Sequence, residues 1–171
     1  MASFSLTVSH DTLTPVLHRL QTLDGAGKAA VLRSGGNVLL SLTVGNFNSV
    51  GAMFRPLPWP AKRDGSPSIL QQTTALAHSI TLRVGTDTAT VSTDRQYAAI
   101  HQFGGVIRPK VATALRFFSG GRWWTVQSVT MPARPFFPMN AQGQLTDAAA
   151  TLITRAMGRA ILRVAGGASA V

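Results

Sequence analysis

Ala112-Thr-Ala-Leu-Arg-Phe-Phe-Ser-Gly-Gly-Arg-Trp-Trp-Thr-Val-Gln-Ser-Val129 reads as two strands folded back on each other. Residues 112–118 and 123–129 are rich in aromatic and β-branched side chains, which suit a pleated surface. Ser119-Gly120-Gly121 between them is a strong turn signal. Upstream, Ile80–Val84 and Thr88–Ser92 form a second such pair around the turn Gly85-Thr86-Asp87. Downstream, Thr146 is placed to cap a helix running to about Val164, with Gly166-Gly167 as its stop. Leu152, Ile153, Met157, Ala160 and Ile161 make that helix's apolar stripe. Antiparallel hairpins followed by an amphipathic helix point to an α+β fold, an antiparallel sheet with helices packed on it.

The N-terminal part adds helices. Ser3 to Val8 alternates polar and apolar as a short strand does, and Leu13, Val16, Leu17 and Leu20 fall at helical spacing between Asp11 and Leu23. Asp24-Gly25 supplies a stop, and a second helix is predicted from Gly27 to about Val44, completing a helical hairpin. Gly35-Gly36 lies inside it, which predicts a kink or a tight helix–helix crossing at a cost of about 1 kcal/mol per Gly. Residues 45–72 read as a long Pro-rich loop, because Pro56, Pro58, Pro60 and Pro67 cannot share regular structure. Ala75–Ile80 looks helical. The whole, residues 1–171, is expected to be one domain carrying that loop and the hairpin extension at 112–129.

Composition excludes several functions. The chain has no Cys, so disulfides, thiolate catalysis and Cys-based metal sites are out. All six acids are Asp, and they are scattered, so paired carboxylates are poorly supplied. His10, His18, His78 and His101 make no metal-ligand spacing. Gly25-Ala26-Gly27-Lys28 lacks the earlier Gly and the following Ser or Thr of a phosphate loop. Neither a cofactor nor an enzymatic activity is expected. Met1–His10 shows no signal-peptide pattern, and Ala29–Val44 is too broken for a membrane span, so a soluble intracellular protein with no membrane partner is expected.

Charge says more. A net charge of +10 implies a polyanionic neighbour, either nucleic acid or an acidic protein surface. Arg155, Arg159 and Arg163 recur every four positions on the last helix and line one face, open to DNA or to an acidic partner. Arg122, Trp123 and Trp124, with Phe117 and Phe118, could serve as stacking platforms for single strands. Alternating aromatics in a strand pair more often fill a core or an oligomer interface, and that reading carries most weight here.

Two segments carry a resemblance: Tyr97-Ala98-Ala99-Ile100-His101-Gln102-Phe103-Gly104-Gly105 and Met131-Pro132-Ala133-Arg134-Pro135-Phe136-Phe137. Ahead of them lie Trp59-Pro60, Ser68-Ile69-Leu70-Gln71 and Leu76-Ala77-His78-Ser79-Ile80. In this order, over roughly residues 45–164, they resemble the phage virion morphogenesis family of tail-completion proteins. The departures are local: Thr73-Thr74-Ala75 lacks the family's Gly, and Val106–Thr130 is longer than in the shortest members. Physically, Gly104-Gly105 would allow positive φ or close backbone approach at the end of a buried strand. Pro132 and Pro135 would hold the chain extended around Arg134, presenting its guanidinium in a fixed direction toward an Asp of its own or a neighbouring chain. His101 is expected to be a hydrogen-bonded structural residue.

The resemblance implies a structural virion protein of a tailed phage, assembled in the host cytoplasm and placed at the neck or head-proximal tail end. It would join tail to head as a homo-oligomeric ring, a hexamer if it follows the usual tail symmetry. Its partners would be the tail tube or tail terminator and the head-closure connector, with weak contact to packaged DNA. Tyr97, His101, Phe103, Gly104, Gly105, Pro132, Arg134, Pro135 and Phe136 are its motif residues; Trp59, Arg122, Trp123 and Trp124 are candidate interface residues. A basic nucleic-acid-binding module is the alternative.

Overall fold

The computed structural model describes His18, residues 22–48, 54–62, Leu70 and residues 74–167. The strand expected at 3–8, most of the helix expected at 11–23 and the middle of the Pro-rich loop lie outside the described residues. His18 is helical, and residues 22–24 form a turn.

Helix α1 spans Gly25–Asn48, longer at both ends than its sequence pattern suggested. Asp24, expected to end the helix before it, caps this one: its Oδ1 accepts the Gly27 N–H at 2.7 Å. At the other end, residues 45–48 continue the helix instead of opening the loop. Asn46 and Phe47 are buried there, and their burial outweighs the weak helix propensity of the Gly45-Asn46 pair.

Helix α1 is buried on two sides. Its buried positions Val31, Leu32, Gly35, Gly36, Leu39, Leu42, Thr43, Asn46 and Phe47 wrap more than one face. Helix α4, Asp147–Gly167, packs on the first side. A Cβ at Gly35 would lie 2.8 Å from Met157 Cγ, and one at Gly27 would lie 2.8 Å from Val164 Cγ1. Contacts that run forward along α1 run backward along α4, so the helices are antiparallel. Small residues let their axes approach, and Ser34 Oγ bonds the Ala156 carbonyl at 3.2 Å across the seam. This is the tight crossing that Gly35-Gly36 foretold.

The hairpin of β1 (Thr81–Val84) and β2 (Ala89–Ser92) packs on the second side. A Cβ at Gly36 would meet Leu82 Cδ1 at 2.5 Å and Ala89 Cβ at 3.2 Å. Between α1 and β1 lies the one-turn helix α2, Ala75–His78. Lys28 Nζ reaches Asp87 Oδ1 at 2.7 Å and ties the hairpin tip to the first turn of α1.

Helix α3, Ala98–Phe103, replaces the buried strand expected ahead of Gly104-Gly105. Six residues are too few to show helical periodicity. Gly104 ends it at φ 68°, ψ −171°, a conformation open essentially to Gly. The chain then enters β3 (Gly105–Ile107), paired antiparallel with β6 (Val129–Met131). Between them rise β4 (Leu115–Ser119) and β5 (Arg122–Val126), in register Ser119↔Arg122 to Leu115↔Val126. Gly120 and Gly121 both have positive φ, 59° and 78°, as a two-residue hairpin turn requires. Among the described residues the antiparallel strands therefore form three two-stranded ribbons instead of one sheet.

After β6 an irregular strap, bent at Phe137 and Pro138, runs to Met139, and an Asn140-centred turn returns the chain to α4. Asn140 Oδ1 accepts the N–H groups of Gln142 and Gln144 at 3.0 and 2.9 Å. Thr146 caps α4 as read, accepting the Ala149 N–H at 3.4 Å. Ile153, Met157, Ala160 and Ile161 face inward, while Leu152 stands 36% exposed at the edge of the stripe. The helix includes Gly166 and Gly167 instead of stopping before them.

Candidate assembly interface

The strap is where the two motif segments meet. A backbone outside helix and sheet leaves most of its polar groups unpaired, so a buried one needs partners from elsewhere. Gln102 of α3, 3% exposed, supplies the central ones. Its Oε1 accepts the N–H groups of both Phe136 and Phe137 at 3.0 Å, and its Nε2 donates to the Met139 carbonyl at 3.4 Å. Asn46 Nδ2 donates to the Phe136 carbonyl at 2.9 Å, and Trp59 Nε1 to the Pro135 carbonyl at 2.8 Å. The Arg134 N–H donates to the His101 carbonyl at 2.6 Å. Arg134, Pro135, Phe136, Phe137 and Met139 are thus each held by α1, a loop or α3.

Aromatic packing completes the knot. Phe136 is fully buried, its ring 5.1 Å from Phe47 and 4.8 Å from Phe137. Trp59 stands edge-on to Phe47 at 6.3 Å, and Arg55 lies 3.5 Å over its indole. Arg55 also donates Nε to the Asn46 carbonyl at 3.1 Å and bonds it through a second guanidinium nitrogen. The indole of Trp59 is therefore committed to the strap and to Phe47, an internal duty its place among prolines did not announce.

Gly104 is part of the same knot. A Cβ there would lie 2.7 Å from the Ala133 backbone N and 2.9 Å from the Met131 carbonyl oxygen. Gly105 lies at φ 143° beside Ile100. Pro132, Ala133 and Arg134 lie in neither helix nor strand. His101 departs from its expected role, since its Nδ1 is buried without a hydrogen-bond partner among the described residues. Burial, then the nearby Arg134 charge, hold its pKa below the usual imidazole value. Tyr97, 43% exposed, meets the His101 ring edge-on at 5.8 Å, and Phe103 is also exposed.

The β4–β5 arm is the opposite case. Phe118 is 60% and Trp123 62% exposed, so these aromatics fill no core. Period-2 aromatics announce a strand but not what covers it, and among the described residues the arm's faces are largely uncovered. Its two faces repeat one device. Arg122 lies 3.8 Å over the Trp124 ring on one, and Arg116 lies 4.9 Å over the Trp123 ring on the other. Trp124 Nε1 donates to the Ser119 carbonyl at 3.0 Å, and Phe118 meets Trp123 edge-on at 5.7 Å. Lys62, from the Pro-rich loop, lines a groove with Phe117, Arg122, Trp124, Val126 and Val129. Val111 and Val106, on the chain leading into the arm, are also exposed.

Arg155, Arg159 and Arg163 are all exposed, and Arg163 flanks the cleft between α4 and α1 beside Ala26, Ala30 and Arg33. Arg163 Nε reaches back to the Arg159 carbonyl at 3.4 Å. Among the described residues no three His, Asp or Glu side chains gather as a metal site would require. No helix of the described residues is long and apolar enough to cross a membrane.

Sequence comparison identifies the arrangement. The profile of the phage virion morphogenesis family matches residues 8–162, which include both knotted segments, the arm and most of α4. The chain belongs to the phage virion morphogenesis family. The chain is also similar to a protein of Haemophilus influenzae, the Mu-like prophage FluMu G protein 2. That protein is 34% identical over 133 residues, covering 77% of this chain and 80% of its own. No solved structure matches the chain. Membership of the virion morphogenesis family makes this a phage protein of virion assembly. Gln102 and Phe137 lie in the motif segments but are not among the residues singled out from the sequence. A polar amide inside an otherwise apolar short segment was the available signal.

Proposed function

We propose that this protein is a non-enzymatic tail-completion subunit that joins tail to head at the phage neck, acting as one member of a homo-oligomeric ring. The observation that carries this reading is the β4–β5 arm: aromatic, basic, and rooted in the knot of the two family motifs. A catalyst needs convergent polar groups in a sheltered site. An assembly subunit needs a rigid root and exposed anchors, and aromatic and Arg side chains are the ones that dominate interface energetics. Ring closure needs two different faces on each subunit. The arm would contact the tail tube or terminator, or the head-closure connector. The face of α4 bearing Leu162, 65% exposed, and the Arg stripe would meet a neighbouring copy or the packaged DNA.

Labelling the subunit in purified virions tests the placement, with label expected at the head-proximal end of the tail. A phage lacking the gene is expected to accumulate filled heads beside unjoined tails. Label confined to the capsid shell or tail tip, or joined particles without the gene, would sink the reading. The Arg stripe favours one alternative, a nucleic-acid-binding module. DNA titrations of the purified subunit at two salt concentrations separate them. Tight, steeply salt-dependent binding lost on Arg155→Glu/Arg159→Glu would favour the alternative.

A further inference from the structure

We propose that the β4–β5 arm docks onto an acidic patch of a different virion protein, with Arg116 and Arg122 taking its carboxylates while Phe118 and Trp123 cover apolar surface beside them. The proposal rests on the chain being an assembly subunit, and not on its placement at the neck.

An isolated two-stranded ribbon is marginally stable in water, and this one stands with large aromatics open on both faces. Its charge is one-sided. No acidic residue occurs between Asp94 and Asp147, whereas Lys62, Arg108, Lys110, Arg116 and Arg122 lie on or beside the arm. A second copy of the chain supplies a poor complement. It carries the same net charge of +10, its Asp24 caps α1 and its Asp87 is paired with Lys28.

The choice between nucleic acid and protein turns on the aromatic rings. Each indole of the arm already has an Arg plane over it, at 3.8 and 4.9 Å, where a base would stack. Neither guanidinium makes a hydrogen bond or ion pair among the described residues. A guanidinium stacked on an aromatic face keeps its N–H edge free and fixed in direction. That geometry suits a bidentate carboxylate. A phosphate could take the same fork. However, Phe118 and Trp123 beside it ask for apolar cover, which a charged sugar–phosphate backbone lacks and a protein patch provides.

The test uses full-length subunit, wild type and Arg116→Glu/Arg122→Glu, mixed separately with heads and with tails purified from phage lacking the protein. The wild type is expected to cosediment with one of the two particles, and the charge reversal to weaken binding at least tenfold. Carbodiimide, which joins amines to carboxylates in contact, is expected to link Lys62 or Lys110 to an Asp or Glu of a particle protein. A Trp123→Ala variant with an unchanged melting temperature is expected to bind at least fivefold more weakly. Four results overturn the proposal: no binding to either particle, full binding by the charge reversal, cross-links only to another copy of the subunit, or cross-links abolished by nuclease. Neck labelling fails or succeeds independently of all four.

Discussion

Replacing Gln102 by Met keeps the side chain's length and removes its polar atoms, so it isolates what the amide contributes to the motif knot. The two N–H groups at 3.0 Å, from Phe136 and Phe137, would lose their acceptor inside the core. A buried donor left unpaired costs about 1–3 kcal/mol. The Met139 carbonyl, at 3.4 Å, loses the weakest bond and keeps its other lone pair, so it adds little. Adjacent losses do not add fully, which places the expected destabilisation at roughly 3–4 kcal/mol on the same scale. A domain has only about 5–15 kcal/mol in total. With a urea slope of about 1–3 kcal/mol per molar, the unfolding midpoint is expected to fall by about 1–4 M. Equilibrium urea unfolding followed by tryptophan fluorescence and far-UV circular dichroism measures it. A midpoint within about 0.3 M of wild type would refute the claim that Gln102 fastens the strap.

Three further outcomes follow from the same geometry. Gly104→Ala combines a Gly-only backbone with a Cβ 2.7 Å from a backbone nitrogen, so a loss of roughly 3–5 kcal/mol is expected. Gly120→Ala has a similar φ sign but open space, and should cost about 1–2 kcal/mol; equal losses in urea unfolding would refute the clash. His101 has a folded pKa below its unfolded value of about 6.5, held there by burial and then by Arg134. The unfolded chain therefore binds the proton first, so stability is full above the unfolded value and falls as pH drops toward the folded one. Melting temperatures from pH 7.5 to about 5.5 should fall less steeply in His101→Gln than in wild type, and parallel slopes would contradict this. Asp87→Asn removes an ion pair whose Asp side chain is 68% exposed, and should change stability by less than about 1 kcal/mol in urea.

Legibility in the sequence tracked how local the governing forces are. The α4 cap and the Gly120-Gly121 turn are set by a few neighbouring residues, and both were readable. The end of α1 was not, because Gly45-Asn46 looks like a loop until Phe47 and Asn46 are seen buried against the strap. Helix α3 was hidden by its length, and the Gly pair after it drew the eye to a strand end. The aromatic hairpin was readable as a hairpin but not as an arm, since the pattern that fills a core also decorates a ribbon. Trp59 stood out by type, yet its role depends on a carbonyl 76 residues away. Gln102 did not stand out, because its partners are 34 to 37 residues distant and lie on an irregular strap.

The order of these elements along the chain has a mechanical consequence. The motif at 97–105 ends where β3 begins, and the motif at 131–137 begins where β6 ends. The β3–β6 pair therefore closes the long connection at its root, and Gln102 locks the two sides of that root to each other. Once the root is closed, adding or removing residues beyond it changes loop entropy only slowly, by about 0.6 kcal/mol per doubling of length. The reach of the arm is thus nearly decoupled from the stability of the body. Five-residue strands carry the tip about 17 Å beyond Leu115 and Val126. A virion protein that must fit partners of different size can lengthen or shorten this ribbon while keeping its fold. Orientation is a different matter, because the root is held by backbone contacts at Gly104 and by buried hydrogen bonds on the strap. The arm can vary in length while its root stays fixed, which suits an assembly subunit that must present an anchor from a stable body.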